Sequence, residues 1–592
     1  MRVSRLTVFF VLLIFTLPLA MSACRSDRDG GNNSTNNAAA DIKGMATGRA
    51  QDGENFKLGE SDAFDQVTVA IDQGYSSYNN KTPDAISSYN TFVLAPVLSG
   101  THIVDGNNKV LLNKDVMESV RVTSKDPQVV EYKIRPDVKW SDGESWDCDD
   151  FYLGWLANSG KVKAFKSATT TGYDLMSDAS CKDDLTFATK YEAPYLDYQG
   201  MFTGQVLMPA HILERSTGIS DITMLKPDGD AGALTRAGEF WSNAWRGFSS
   251  DLMPGSGPYK ITRFDPNSTY VTLERNPYWI GAKGGPNKIS VRAMPDTRAM
   301  ATALSNGEVD VVGSVQPDVT AASTLQGLAA QGVTYGSAPR LAFEHFDLNF
   351  NRLFADESAR KAFFQVVDRR EIVDKLIRPV QADAAPLNSI VYLPGESGYV
   401  DRYSDKAGSG ADAAVKTLEQ GGWVKGTDGV YAKEGKRFSV RISHDGNTRR
   451  TQTVEIVQSQ AARAGIEIKN DTDPNFSKGR ADKGDYDIAL FGWSSEPFKA
   501  VQRSMYSSDG RQNWQGLNDP KIDTAFDIAV SATDKDVATK AYQAADKAIS
   551  ENYATLPVFQ TPSMWAFRGI DRVYLQPYYG PMWNVGEWAR TG

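Results

Sequence analysis

The sequence predicts an α/β protein divided into two or three domains, and three observations carry that expectation. At 592 residues the chain is too long to bury its apolar side chains in one core. Helical and strand periodicities alternate along it. In residues 299–312, for example, a helical stretch is stopped by Asn306-Gly307 and followed by the buried-strand run Val309-Asp310-Val311-Val312. Residues 132–155 read as strand, turn and capped helix: Tyr132 and Ile134 alternate with polar residues, Ser141-Asp142-Gly143 is a turn, and Asp149-Asp150 suit a helix N-terminus.

Composition narrows the function. Hydrophobic residues at 41% and charged residues at 23% are those of a globular chain. The net charge is −9 and no basic stripe offsets it, so nucleic acid is not an expected partner. The 12 Trp, 24 Tyr and 26 Phe supply large contact area for ligands of varied shape, although most belong in cores.

Residues 1–23 read as an export signal. Arg2 and Arg5 precede an apolar run over residues 6–20, too short and too near the terminus for a membrane span. Met21-Ser22-Ala23-Cys24 then resembles a bacterial lipobox, with Met21 where Leu is favoured, so Cys24 is the expected lipidation site. Residues 24–62 are rich in Asn, Asp, Gly, Ser and Ala and form the expected flexible tether. The remaining cysteines, Cys148 and Cys181, are an even pair in an exported chain with no zinc spacing and no CxxC, and are expected to form a disulfide.

The wording of residues 132–155, YKIRPDVKWSDGESWDCDDFYLGW, resembles the signature segment of the family 5 extracellular solute-binding proteins, the dipeptide- and oligopeptide-binding proteins of ABC importers. Further phrases follow in that family's order. They are Val206-Leu207-Met208-Pro209-Ala210-His211, MPGSGPYKI at residues 253–261, Arg275-Asn276-Pro277-Tyr278-Trp279, residues 299–312, and the alternating HFDLNFN at residues 345–351. The resemblance implies a two-lobed periplasmic-binding-protein-like fold (class II, peptide-binding cluster) with an extra subdomain in the first lobe. The implied boundaries are lobe I at 63–89, its extra subdomain at 90–205, lobe I again at 206–340, lobe II at 341–559, and a return to lobe I at 560–592. In lobe II, Ala359, Ala362, Phe363, Val366 and Val367 mark a helix that buries one face, and Arg369 and Arg370 beyond it read as a solvated helix face.

Peptide-binding members of the family receive the ligand's amino terminus on a carboxylate just past a Gly-Trp pair. Here Gly492-Trp493-Ser494 leads to Glu496, which is the implied ammonium partner. The family commonly supplies a cation for the ligand carboxylate from the turn before the preceding helix, where His444 stands with Arg449 and Arg450 nearby. Tyr75 and Tyr78, on the loop after the first strand, join Trp493 as candidates for side-chain pockets, with core packing as the competing role. Asn349 completes the expected ligand set.

No metal, cofactor or catalytic site is expected. His102, His211, His345 and His444 are far apart with no HExxH pairing, no GxSxG elbow occurs, and the glycines of residues 253–261 lack the Lys-Ser/Thr of a phosphate loop. The expected protein is a monomeric, lipid-anchored receptor on the outer face of the cytoplasmic membrane, which passes peptides to ABC importer permease subunits. Two alternatives remain open: the same fold holding an oligosaccharide, a metal chelate or another solute, and an envelope regulator or scaffold that no longer transports.

Overall fold

The computed structural model describes residues 54–105, 109–267, 270–494, 497–574, 576 and 578–591, excluding the side chains of Ser314 and Lys478. The expected signal peptide, Cys24 and most of the expected tether lie outside the described residues, as does Glu496. Among the described residues no helix is long and apolar enough to cross a membrane.

Ten strands make the main sheet. In chain order they are β1 (Ala63–Ile71), β2 (Tyr259–Asp265), β3 (Tyr270–Arg275), β4 (Gly285–Ala293), β5 (Val311–Val315), β6 (Val333–Leu348), β7 (Ser439–His444), β8 (Glu467–Thr472), β9 (Ile488–Ser494) and β10 (Thr555–Arg568). Across the sheet they run β8-β7-β9-β6-β10-β5-β1-β4-β3-β2. Parallel pairs such as β1 with β4 and β7 with β8 need crossover connections, which is why helices interleave with strands along the chain.

β6 and β10 are the long central pair, of 16 and 14 residues, and are antiparallel. β10 is buried along almost its whole length, with apolar runs on either side of Gln560-Thr561-Pro562-Ser563, and β6 is buried throughout its last six residues. Val333 of β6 packs with Met300, Leu304, Val309 and Met564 in one cluster. Leu341, Phe343, Phe346 and Leu348 of the same strand belong to another, together with Phe363, Val457, Ile488 and Phe559. A further core collects β1 to β4 and residues 89–245, with Trp565, Met582 and Trp588 from the end of the chain. The two long strands therefore pass directly from one packed body to the next.

A four-stranded antiparallel sheet (Met117–Lys125, Gln128–Ile134, Thr186–Tyr191 and Met176–Asp183, in that order) carries the strand of the signature segment. The helix that follows, Cys148–Asn158, is capped by Asp147, and Asp150 bonds back to the cap in a reciprocal box. Asp150 also accepts from Trp140 Nε1 at 2.9 Å and from Ala210 N at 2.8 Å, so one buried carboxylate ties strand, helix and return segment together. Cys148 and Cys181 form a disulfide between this helix and the neighbouring strand.

Arg369 departs from the solvated role read from the sequence. It is buried and donates to the carbonyls of Pro557, Leu387 and Tyr403 and to Asn388 Oδ1. Its helix, Arg369–Leu376, begins against β10, so the first turn faces inward. Burial draws the guanidinium down to about 10, while its partners are mostly neutral carbonyls. Arg370 is exposed.

Candidate functional site

One group of deeply buried polar side chains lies where β6 passes between the packed bodies. A register shift between Pro339 and Phe343 frees Arg340 from pairing with β10, and its carbonyl accepts from Gln560 Nε2 at 2.9 Å. The guanidinium lies over the Phe92 ring, 5.7 Å from its centroid. Phe92 and Tyr89 come from α1 (Ser88–Leu94), a short helix capped by Ser87. Asp72, the residue after β1, accepts from Gln316 N at 3.2 Å and lies beside the Tyr89 side chain. Burial raises its pKa against the pull of Tyr89, Arg340 and Gln316. Asp72 Oδ1 and Arg340 Nε are buried without hydrogen-bond partners.

Four residues further along β6, Glu344 is almost completely enclosed and takes two arginines from one helix turn. Asn447 caps α2 (Thr448–Arg463) by accepting from Arg449 N and Arg450 N, which presents both side chains to Glu344. Arg449 Nη1 meets Glu344 Oε2 at 2.5 Å and Arg450 Nε meets Oε1 at 2.7 Å, while Arg450 Nη1 also reaches Asp445 at 2.5 Å. Burial opposes ionisation of Glu344, but the charges of Arg449 and Arg450 prevail and hold it down at about 2. Arg449 Nη2 reaches Gln316 Oε1 at 3.4 Å, and its guanidinium lies over Phe559. Gln316 thus touches Asp72 through its backbone and Arg449 through its side chain.

An aromatic wall adjoins this charge cluster. Trp493, half-buried near the end of β9, stacks parallel to His345 at 6.2 Å and packs against Phe491 at 5.0 Å and Trp514 at 5.1 Å. His345 is fully buried, with Nε2 3.4 Å from Asp347 Oδ2 and no hydrogen-bond partner for either ring nitrogen. Beyond Trp493 the chain meets the short 3-10 turn Leu196–Gly200. Phe498 covers Gly200, Ala500 N donates to Asp197 Oδ2 at 3.2 Å, and Ala500 is buried within the first core, that of β1 to β4.

Gly492 and Ser494 flank Trp493 in the chain and are exposed. Arg449 stands in the junction but is engaged by Glu344. His444 is buried and closes its own turn: Gly446 N donates to Nδ1 at 3.1 Å, so Nε2 carries the proton and donates to Asn470 Oδ1 at 2.8 Å. That tautomer has no ring N–H left for a ligand carboxylate. Asn349 laces the chain, with Nδ2 donating to the carbonyls of Gly484 and Tyr486 and Oδ1 accepting from Asn351 N. Tyr75 and Tyr78 take the packing role: both are buried in the first core, and their hydroxyls donate to the carbonyls of Gly247 and Pro254. Asp72, Gln316, Arg340 and Glu344 were not singled out by sequence reasoning. The available signal was the charges Arg340, Glu344 and Asp347 inside the otherwise apolar wording of residues 338–348. Away from these residues, Asp149, Glu214 and Asp221 each bring a carboxylate oxygen within 4.8 Å of the others, a half-buried acidic group of a kind common without an ion.

A family model described as "Bacterial extracellular solute-binding proteins, family 5 Middle" matches residues 112–515. The oligopeptide-binding protein OppA of Mycobacterium tuberculosis is 26% identical over 539 residues, covering 89% of this chain and 83% of that protein. An uncharacterised lipoprotein of the same organism is 26% identical over 546 residues, covering 88% of this chain and 93% of its own. Among solved structures, a periplasmic EDTA-binding protein, EppA, superposes with a TM-score of 0.80 at 25% identity, covering 92% of this chain and 100% of that one.

Proposed function

Because the chain belongs to the bacterial extracellular solute-binding proteins, family 5, a family of binding proteins and not of enzymes, we propose that it captures di- to oligopeptides between two lobes and delivers them to the permease subunits of an ABC importer. The observation that carries this reading is the set of opposed charges buried where β6 joins the two bodies. Asp72 and Arg340 lie on one side of Gln316, and Glu344 with Arg449 on the other. A cleft that presents both signs of charge, shielded from water, suits a ligand that carries both. In this reading the residues around β1 to β5, with the end of the chain, are lobe I, residues 341–559 are lobe II, and closure excludes water from the ligand.

Trp493, Gly492 and Ser494 form the ligand-facing edge of lobe II, with Glu496 next in the chain as the ammonium partner. Extended peptides bind such walls through backbone hydrogen bonds that ignore side-chain identity, which gives broad specificity. The Met21-Ser22-Ala23-Cys24 sequence and the relative named as a lipoprotein support a lipid anchor on Cys24 at the outer face of the cytoplasmic membrane, with the protein acting as a monomer. Native mass spectrometry of the gently purified protein tests the ligand. Co-purified peptides in the folded species, lost on unfolding, are the expected result, whereas a sugar or a folded protein that never takes up a peptide library would overturn the peptide reading. A second reading, a polycarboxylate or metal chelate in the same cleft, is favoured by the likeness to the EDTA-binding protein and by the arginines at the junction.

A further inference from the structure

Four arginines are buried among the described residues, and three of them have hydrogen-bond or ion-pair partners, although Arg449 keeps Nε and Nη1 without hydrogen bonds. Arg360 donates to the carbonyls of Asn552, Phe354 and Ala355, Arg369 donates to three carbonyls and Asn388, and Arg449 is paired with Glu344. Arg340 is the exception. It is 7% exposed, yet its Nε is buried without a hydrogen-bond partner, and among the described residues its guanidinium forms no ion pair. Phe92 covers one face of the group, which leaves the in-plane N–H edge as its interaction surface.

A buried guanidinium with no counterion is strongly unfavourable, so a fold that keeps one needs another use for it. Neighbouring acids do not serve. Glu344 is occupied by two other arginines, and Asp72 is near enough to interact with Arg340 electrostatically but does not pair with it. Asp72 in turn keeps Oδ1 free, so a cation and an acceptor, both over nine-tenths buried, face the junction incompletely satisfied.

We infer that Arg340 receives a carboxylate of the bound ligand, with Asp72 accepting a hydrogen bond from an N–H of the same ligand. This rests on the peptide-binding reading and sharpens it: the ligand's C-terminal carboxylate is recognised from the strand that joins the lobes, and neither His444 nor Arg449 supplies the cation. Arg340 is then a specificity-determining residue that favours free acids over their amides.

The test uses the full mature chain and two pentapeptide libraries, one with free C-termini and one with C-terminal amides, with bound species quantified by native mass spectrometry. Wild-type protein should prefer acids by about ten- to a hundredfold, the range of one charge-assisted hydrogen-bonded contact. Arg340→Met should bind both libraries about equally, and its empty form should melt at or above the wild-type temperature, because the unpaired charge is gone. Arg340→Lys, which keeps the charge but not the planar fork, should retain part of the preference and provides the comparison should the Met variant not fold. An Arg340→Met protein that still prefers acids, or one whose empty form melts well below wild type, overturns the assignment. Equal binding of acids and amides by wild type overturns it too and leaves the peptide reading standing. If no peptide binds, EDTA is the second probe: binding by wild type but not by Arg340→Met supports the carboxylate site while the peptide reading falls, and binding by neither protein overturns both.

Discussion

Glu344 and Arg449 meet at 2.5 Å with both side chains buried, one on the long central strand and the other on the first turn of the helix packed beside it. In a pair so enclosed the cost of taking both charges out of water offsets most of their attraction, but losing one partner strands the other. Here the consequence is doubled, since Glu344 also answers Arg450.

Glu344→Gln should therefore cost about 3–5 kcal/mol of unfolding free energy, read as a lower urea midpoint. Glu344→Met combined with Arg449→Met and Arg450→Met should recover most of it, because no buried charge is left behind. A single Gln variant as stable as wild type would contradict the pairing.

The same carboxylate makes a pH prediction with a definite sign. Its folded value, about 2, lies below the ordinary 4.5, so the unfolded chain takes up the proton first as pH falls. The stabilisation from Glu344 is complete above pH 4.5 and is lost as pH falls from there toward 2. Asp147 works in the opposite direction. Burial, followed by the charges of Asp149, Asp184 and Glu214, raises it from 3.8 to about 7. Its folded form holds the proton longer, so stability should decline as pH rises from about 4 to 7. Asp147→Asn keeps the helix cap and should flatten that decline in urea titrations at successive pH values.

The Cys148–Cys181 disulfide closes a loop of 33 residues between a helix start and a neighbouring strand. Replacing both cysteines with Ser should lower unfolding free energy by about 2–5 kcal/mol, with ligand affinity unchanged. A loss of affinity at full folding would place the bridge in the binding mechanism.

What the sequence made readable follows from which signals are local. Alternation, glycine stops and caps mark elements within a dozen residues, so the signature strand-turn-helix and the helix ahead of Gly307 stand where the wording puts them. Side-chain partners are set by distant chain. Nothing near Arg369 indicates that β10, nearly two hundred residues on, will supply the carbonyl that buries it. His444 was marked as a cation by its place in a turn, but the bond from Gly446 N that selects its tautomer depends on the backbone path of that turn. Arg340 and Glu344 were plain in the sequence as charges within a strand. The importance of Arg340 emerges only when the other buried arginines among the described residues prove to have partners.

The last prediction concerns closure. Gly200 has ordinary backbone angles, so its value lies in space: a Cβ there would come 2.7 Å from Phe498 Cδ2, with the rest of the ring close behind. Phe498 follows Trp493 by a few residues, in the stretch proposed above to face the ligand, and two positions later Ala500 bonds to Asp197 and is buried in the first core. Any side chain at position 200 must push this segment outward, and the push opposes the approach of the lobes without touching a ligand. Gly200→Val should accordingly raise the apparent Kd by on the order of tenfold, since only the closable fraction of molecules binds tightly. It should also leave the ligand-saturated protein with a larger radius of gyration by small-angle scattering. Phe498→Ala, which removes the ring and not the space, should restore affinity when combined with Gly200→Val. An unchanged Kd in Gly200→Val would show that this contact forms independently of ligand capture.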